Sequence, residues 1–295
     1  MKMLVTGTGG FIGQHVLKAV INKFGAENIV IVGQSLHPAC ETFLCSYENG
    51  MINSNCESLN EIETMLLIGG WIPKTSADTN NVASAISNIT FTKNILNLSC
   101  KNLSKIIYVS TVDVYGDAPA IDENSATNAN GLYGASKLFC EKVVVQDSIV
   151  KNIESQILRI GHVYGPGEEL YQKLIPTVIT KALVGENIEI WGDGSDLRSF
   201  IYISDVVEII LNALTIQNPP SLVNVAGGTS MSILDVVKII KKISMSSSEI
   251  FFQEAQTKKR NLVFNNERLM THYLDSETTF AKGISCEIEH MVNRS

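Results

Sequence analysis

VTGTGGFIG, residues 5–13, continues the apolar run KMLVT (2–6) and opens onto a stretch of helical periodicity over 11–24. Gly7, Gly10 and Gly13 recur at steps of three, between a predicted strand and a predicted helix. That order is the setting of a dinucleotide turn: the glycines allow a tight bend, and backbone N–H groups at the helix N-terminus face a pyrophosphate. The spacing is not GxGxxG, and tight strand-to-helix turns use glycine for backbone reasons alone. What favours dinucleotide binding is the position of the turn after the first strand of the chain.

Outward from this turn, short β-branched runs alternate with amphipathic stretches, the pattern of βαβ units. Residues 2–6, 28–32, 64–68, 105–110 and 155–160 read as strands; 11–24, 83–99, 131–150, 170–184, 204–215 and 231–243 read as helices. The segment 33–63 is irregular and offers no clear third strand. Right-handed crossovers then give an α/β fold, a Rossmann-type doubly wound parallel sheet with a smaller C-terminal substrate-binding domain. Residues 1–166 are expected to form the dinucleotide-binding domain, completed by 198–226, and 167–295 mainly the substrate-binding domain. The turn-rich GPGEE, WGDGSD and GGTSMS segments after Gly165 suggest loops gathered around a ligand. Val143, Val144 and Val145 run consecutively in one predicted helix, so its apolar groups point several ways, and a homodimer is expected.

The chain of 295 residues carries a net charge of −7 with a pI near 5.3. This argues against nucleic acid as a partner, and no apolar run is long enough for a membrane span. The N-terminus lacks the apolar core of a secretory signal, so a cytoplasmic protein is expected. Six cysteines (Cys40, Cys45, Cys56, Cys100, Cys140 and Cys286) show no CxxC pairing and no histidines at ligand spacing. Reduced thiols and no metal are the expectation.

The second strand of a dinucleotide fold commonly ends in an acid that binds the adenosine ribose. Here IVIVGQS (29–35) ends in Gly33, Gln34 and Ser35. Without the carboxylate a 2′-phosphate is tolerated, with Gln34, Ser35 or His37 as hydrogen-bond partners and no arginine nearby. The cofactor is therefore read as NAD or NADP, with NADPH favoured by that margin alone.

LYGASKLFCEK (132–142) places Tyr133 and Lys137 four apart on one predicted helix, one above the other. A free phenol titrates near pH 10, so ionising it near neutrality requires about 4 kcal/mol. One cation at close range supplies about 4 kcal/mol at an effective dielectric near 20. Such a pair alone is ordinary helix surface; beside a glycine turn it becomes a candidate proton-transfer group.

TGTGGFIG, STVDVYG (110–116), YGASK (133–137), LRIGHVYGPG (158–167) and LRSFIYISD (197–205) come in the order of the extended short-chain dehydrogenase/reductase family. Nearly the whole chain resembles that family, most of all its members of NAD-dependent epimerase/dehydratase type acting on nucleotide-activated sugars. The resemblance implies Tyr133 as catalytic acid/base, Lys137 as its activator and ribose contact, and Thr111 as the hydroxyl beside the reacting oxygen. It implies cofactor contacts from Gly7, Gly10, Phe11, Ile12, Gly13, Gln34, Ser35, Gly69, Tyr133 and Lys137. It also implies Arg198, Arg260, Thr111 and His162 on the side of a nucleotide-diphosphate sugar. The planar fork of arginine suits phosphate oxygens. His162 stands where many relatives carry asparagine and is equally a packed histidine. Asn88 matches a structural asparagine.

Three outcomes use this machinery. Dehydration calls for adjacent acids after the threonine, whereas Val112 and Asp113 follow Thr111 here, so dehydration is disfavoured. An epimerase must retain its cofactor through a full cycle, and Gly33 removes one anchor. The expectation is therefore reduction of a 4-keto-6-deoxyhexose at C4, with Tyr133 as proton donor. The alternatives are an NAD-dependent 4-epimerase and a non-catalytic NAD(P)-binding regulatory protein.

Overall fold

The structure, a computed structural model, describes residues 1–45, 57–116, 118–255 and 259–294. Cys56 and part of the irregular 33–63 segment lie outside the described residues. Two units divide the chain. The first comprises Met1–Gly116, Ala126–Ile160 and Val207–Asn224; the second is built on Gly161–Val206 and Val225–Ser295, with the short segment up to Ser125.

In the first unit, β1 (Met3–Thr6) leads through the glycine turn into α1 (Phe11–Phe24) and then β2 (Ile29–Gly33), β3 (Glu41–Leu44) and β4 (Thr64–Leu67). There follow α2 (Val82–Leu96), β5 (Lys105–Thr111), α3 (Leu132–Lys151) and β6 (Glu154–Ile160). The second unit begins with β7 (His162–Tyr164), α4 (Leu174–Val184), β8 (Ile188–Trp191) and β9 (Leu197–Tyr202). Further along lie α5 (Ile203–Thr215), β10 (Leu222–Val225), β11 (Ser230–Ser232), α6 (Ile233–Ile243), β12 (Ile250–Gln253), α7 (Glu267–His272) and α8 (Phe280–Arg294).

The seven-stranded sheet runs β10-β6-β5-β4-β1-β2-β3, with parallel pairing at each step from β6 to β3. Strand order reverses beside β1, whose neighbours are β2 and β4, and at such a switch point the strand ends part to leave a crevice. Both faces of the sheet are buried. Leu4, Val30, Val32, Met65, Leu67, Ile106, Tyr108 and Ile157 share one core with Phe91 and Ile95 of α2 and Cys140 and Val144 of α3. The alternate residues Met3, Val5, Ile29, Ile31, Leu66 and Ile107 are buried as well. Near-continuous apolar strands are what a helix-covered parallel sheet requires. β3 fills the place where the sequence offers no clear strand; it is an edge strand with Glu41 and Leu44 exposed, so its pattern resembles a loop.

The three consecutive valines of α3 do point different ways: Val144 is buried in the core and Val145 is exposed. In the second unit, β9 lies between β11 and β7, and β12 pairs in parallel with β8. Among the described residues no helix is long and apolar enough to cross a membrane, and the five described cysteines are free thiols.

Candidate active site

The glycine turn is held by backbone crowding on one side and is open on the other. Gly7 has φ +75°, and a Cβ there would come 2.5 Å from Gly69 Cα. A Cβ on Gly13 would lie 1.9 Å from the Gly7 carbonyl oxygen. These two positions admit only glycine if the turn is to close onto α1 and the end of β4. Gly10 differs: a Cβ would meet only the Gly7 carbonyl at 3.5 Å, and at Gly9 it would meet nothing. Gly10 caps α1 with no side-chain hydrogen bond, so first-turn amides stay available. Packing explains Gly7 and Gly13 but not the bare, open stretch at Gly9 and Gly10, which suits a group approaching the backbone. A dinucleotide pyrophosphate fits that requirement. Phe11 and Ile12 follow half-buried in the first turn of α1, Phe11 edge-on to His15 at 5.6 Å.

β2 ends at Gly33 with Gln34 and Ser35 exposed, so the strand end itself carries no carboxylate among the described residues. Beside it lies a cavity of about 380 Å³ lined by Thr8, Gln14, Lys18 and His37, among others. Lys18 is a cation that sequence reading passes over. It sits four residues after Gln14 on α1, so the two share a face, but its proximity to His37 exists only in the fold.

Across the switch point, β5 delivers Thr111. Its Oγ1 accepts from the Asp113 N–H at 3.2 Å and bonds the Asp113 carboxylate at 3.2 Å, closing a short turn after the strand. Gly134, the second residue of the YGASK segment, lets α3 come close: a Cβ there would lie 2.3 Å from the Asp113 carbonyl. Tyr133 is thereby sunk in the interior, only 7% exposed. Burial pushes its phenol well above the usual tyrosine range, the Asp113 carboxylate adds to this, and a hydrogen bond with Thr111 partly opposes it.

Lys137 is buried too, but its ammonium is engaged elsewhere. Nζ donates to the Val109 carbonyl at 2.7 Å and lies 4.2 Å from the centre of the Tyr108 ring. Burial pulls Lys137 down to about 8, against a smaller pull upward from Cys140 and Glu141. The charge that raises the Tyr133 phenol is that of Asp113, while the Lys137 ammonium is taken up by Val109 and the Tyr108 ring. The reason is physical: a buried ammonium must satisfy its donors, and a strand carbonyl and an aromatic face are within its reach. Gly70 lies beside it: an added Cβ would stand 3.7 Å from Lys137 Nζ, an ordinary contact, and 3.2 Å from Asn88 Oδ1. Gly7, Gly69, Thr111, Tyr133 and Lys137 are thus gathered in the first unit at the ends of β1, β4 and β5.

Arg198 and Arg260 meet in the second unit. Arg198 donates to the Leu197 carbonyl at 2.9 Å and to the Arg260 carbonyl, and its Nη2 lies 3.7 Å from Asp196. Burial and the neighbouring Arg260 lower its proton affinity while Asp196 raises it. The Arg198 guanidinium rests on the Arg260 main chain and feels the Arg260 charge, which makes a local positive site suited to an anion with several oxygens. His162 packs edge-on to Phe200 at 5.9 Å in an aromatic group with Tyr164 and Phe280, the surroundings of a packed histidine.

A family model described as the NAD dependent epimerase/dehydratase family matches residues 3–226. The chain belongs to that family. It is 26% identical over 267 residues to a UDP-N-acetyl-α-D-glucosaminuronate decarboxylase of Bacillus cytotoxicus, covering 84% of this chain and 82% of the relative. It is 26% identical over 316 residues to an uncharacterized UDP-glucose epimerase of Bacillus subtilis, covering 99% and 98%. Among solved structures, UDP-glucose 4-epimerase of Thermotoga maritima with UDP-glucose shares the fold, with a TM-score of 0.86 over 100% of this chain and 99% of that one at 21% identity. The chain is thus a member of the NAD dependent epimerase/dehydratase family, and the open glycine turn is where its residues fit the dinucleotide.

Proposed function

We propose that the protein interconverts a nucleotide-diphosphate hexose at C4, a 4-epimerisation. The observation that carries this reading is the buried Tyr133 phenol close to the Thr111 hydroxyl, on a helix whose next turn holds the buried Lys137. Bound NAD supplies the acceptor for hydride from C4 and returns it. Tyr133, its ionised form favoured by the positive charge of oxidised NAD when bound, takes the proton from the sugar hydroxyl as C4 is oxidised and gives it back to the oxygen as C4 is reduced. Thr111 orients the phenol and bonds the same sugar oxygen. Lys137, fixed on Val109, holds the cofactor ribose. Gly7, Gly10, Phe11, Ile12, Gly13 and Gly69 form the cofactor cradle, while Arg198 and Arg260 clamp the sugar diphosphate. His162 shapes the sugar side by packing. The full-length match to a UDP-glucose epimerase favours this outcome over the others.

The test is to incubate purified protein with UDP-glucose, UDP-N-acetylglucosamine or UDP-glucuronic acid and NAD, then follow the anomeric protons by NMR. A C4 epimer forming with no net change at 340 nm supports the proposal. Unchanged substrate in all three mixtures sinks it.

A second reading, an NADPH-dependent 4-keto-sugar reductase, is favoured by the end of β2. Gln34 and Ser35 replace the ribose-binding acid, and the cavity with Lys18 and His37 offers a cation to a 2′-phosphate. Stoichiometric NADPH oxidation by a nucleotide-linked 4-keto-6-deoxyhexose would select it. Two further parts of the proposal concern setting. The exposed apolar residues of α3, Phe139, Ile149 and Val150, with Val82 and Ile86 of α2, suit pairing with a second copy. Light scattering at micromolar concentration reads this directly as dimer or monomer mass. The free thiols suit the reducing cytoplasm.

A further inference from the structure

We infer that Trp71 is a sugar-recognition residue, forming an apolar wall beside the hexose at Tyr133. The inference rests on the proposed reaction and extends it to the choice of substrate.

After β4 the chain runs through Gly69, Gly70 and Trp71. Gly69 N–H donates to Thr6 Oγ1 at 3.0 Å, and a Cβ on Gly69 would stand 3.1 Å from the Gly7 amide nitrogen. Gly70 passes between Asn88 Oδ1 and Lys137 Nζ, at 3.2 Å and 3.7 Å from an added Cβ. The segment thus leads from the cofactor turn to the proton-transfer residues. Trp71 comes next, and both polar groups of its backbone are held by one side chain that is 2% exposed: N–H to Asn88 Oδ1 at 2.6 Å, carbonyl from Nδ2 at 3.2 Å. The same Nδ2 reaches Ser136 Oγ at 3.3 Å, and Ser136 donates to the Tyr133 carbonyl at 2.8 Å. One buried amide therefore fixes the positions of Trp71 and Tyr133 relative to each other.

The indole stands edge-on to the phenol, ring centres 6.3 Å apart at 72°. It is only half-buried, whereas Tyr133 is buried, so the indole spans from the phenol to solvent. A ring fixed at its backbone, set against the phenol and left open along one side is available to a ligand. Whatever sugar oxygen bonds the Tyr133 hydroxyl sits about 3 Å from it, which brings the attached ring carbons to the indole. A hexose carries C–H groups on its ring faces, and these pack on an aromatic surface that a free nucleotide, lacking the sugar, does not reach.

The chain has two tryptophans, so Trp191→Phe, at an exposed position of β8, leaves Trp71 as the sole indole. In that protein UDP-glucose should shift or quench the emission at saturation while UDP leaves it nearly unchanged. In calorimetry Trp71→Ala should weaken UDP-glucose roughly five- to tenfold, hold UDP within about twofold, and Trp71→Phe should recover most of the loss. UDP-glucose binding to Trp71→Ala as tightly as to the unaltered protein overturns the inference while leaving the proposed reaction intact. Equal losses for UDP, UDP-glucose and NAD in Trp71→Ala overturn it as well, since they report a displaced loop. If the unaltered protein binds none of the nucleotide sugars, the proposed reaction fails and this inference with it.

Discussion

Glu141 and Arg159 close a fork-to-fork ion pair inside the first unit, Nε to Oε1 at 3.0 Å and Nη2 to Oε2 at 2.7 Å. The third arm of Arg159 donates to the Tyr115 hydroxyl at 2.7 Å, and Tyr115 donates on to Asn224 Oδ1 at 2.8 Å. Glu141 lies one turn beyond Lys137, so this pair ties the helix bearing the proton-transfer residues to β6. Removing one partner leaves a buried, uncompensated charge. Glu141→Gln or Arg159→Met should each lower stability by about 3 kcal/mol, and the double replacement Glu141→Met/Arg159→Met by less than the sum. Urea midpoints at pH 7 read both.

Tyr133→Phe removes the proposed proton carrier and keeps the ring. Turnover should fall about 10²- to 10⁴-fold while UDP-glucose affinity changes little, measured by NMR turnover and calorimetry.

The titration of Lys137 sets the alkaline limit. Its folded proton affinity is lowered to about 8 from 10.5, so the ammonium proposed to hold the cofactor ribose is lost above about pH 8, and kcat/KM should decline on that side. The linkage to stability has the opposite sense. The unfolded lysine binds its proton more tightly, so Lys137 opposes folding at pH below about 8, and this penalty fades as pH rises to 10.5. Lys137→Met should therefore be inactive yet flatten the stability profile across that window.

Gly10→Ala and Gly13→Ala should part company. At Gly13 the methyl meets a backbone carbonyl at 1.9 Å, so the turn must break and the melting temperature should fall by several degrees. At Gly10 the methyl has room in the protein, with φ −82°, but stands where the dinucleotide approaches. Gly10→Ala should melt as the unaltered protein does and bind NAD at least about tenfold more weakly, a loss near 1.4 kcal/mol. Calorimetry of both variants against NAD tests the cradle directly.

Glu287 of α8 is fully buried, and burial together with Glu168 and Glu169 pushes its carboxyl up to about 8 from 4.5, against the pull of Lys173. The folded state therefore holds a proton that the unfolded chain releases. The resulting stability is complete below pH 4.5 and is lost as pH rises through about 8. Glu287→Gln should remove that slope, seen as a melting temperature that changes less between pH 6 and 9.

Much of this was legible in the residues because apolar periodicity and glycine spacing are local. The five strands read from the sequence match β1, β2, β4, β5 and β6 within a residue or two, and the six helices match α1 to α6 apart from an early start for α4 and an end three residues late for α2. β3 escaped because an edge strand with Glu41 in solvent has no apolar face to betray it. α8 escaped partly through Gly283, a residue that speaks against a helix interior; a Cβ there would lie 2.3 Å from the Tyr164 hydroxyl, so glycine makes room for that ring. The spacing of Tyr133 and Lys137 was visible, but the partner of the ammonium was not. Val109 and Tyr108 reach it through the packing of α3 on β5, which no local pattern encodes.

The arrangement of the large sheet also bears on how the chain emerges during synthesis. β6 ends at Ile160, and the strand that covers its outer edge, β10, starts at Leu222. At roughly 5–20 residues per second, translation leaves that edge bare for several seconds. A bare edge of Gln156–Ile160, buried in the folded sheet, can pair with any passing strand, so the nascent polypeptide is most prone to clump in the interval before β10 arrives, and slowing translation between the two should lower its soluble yield.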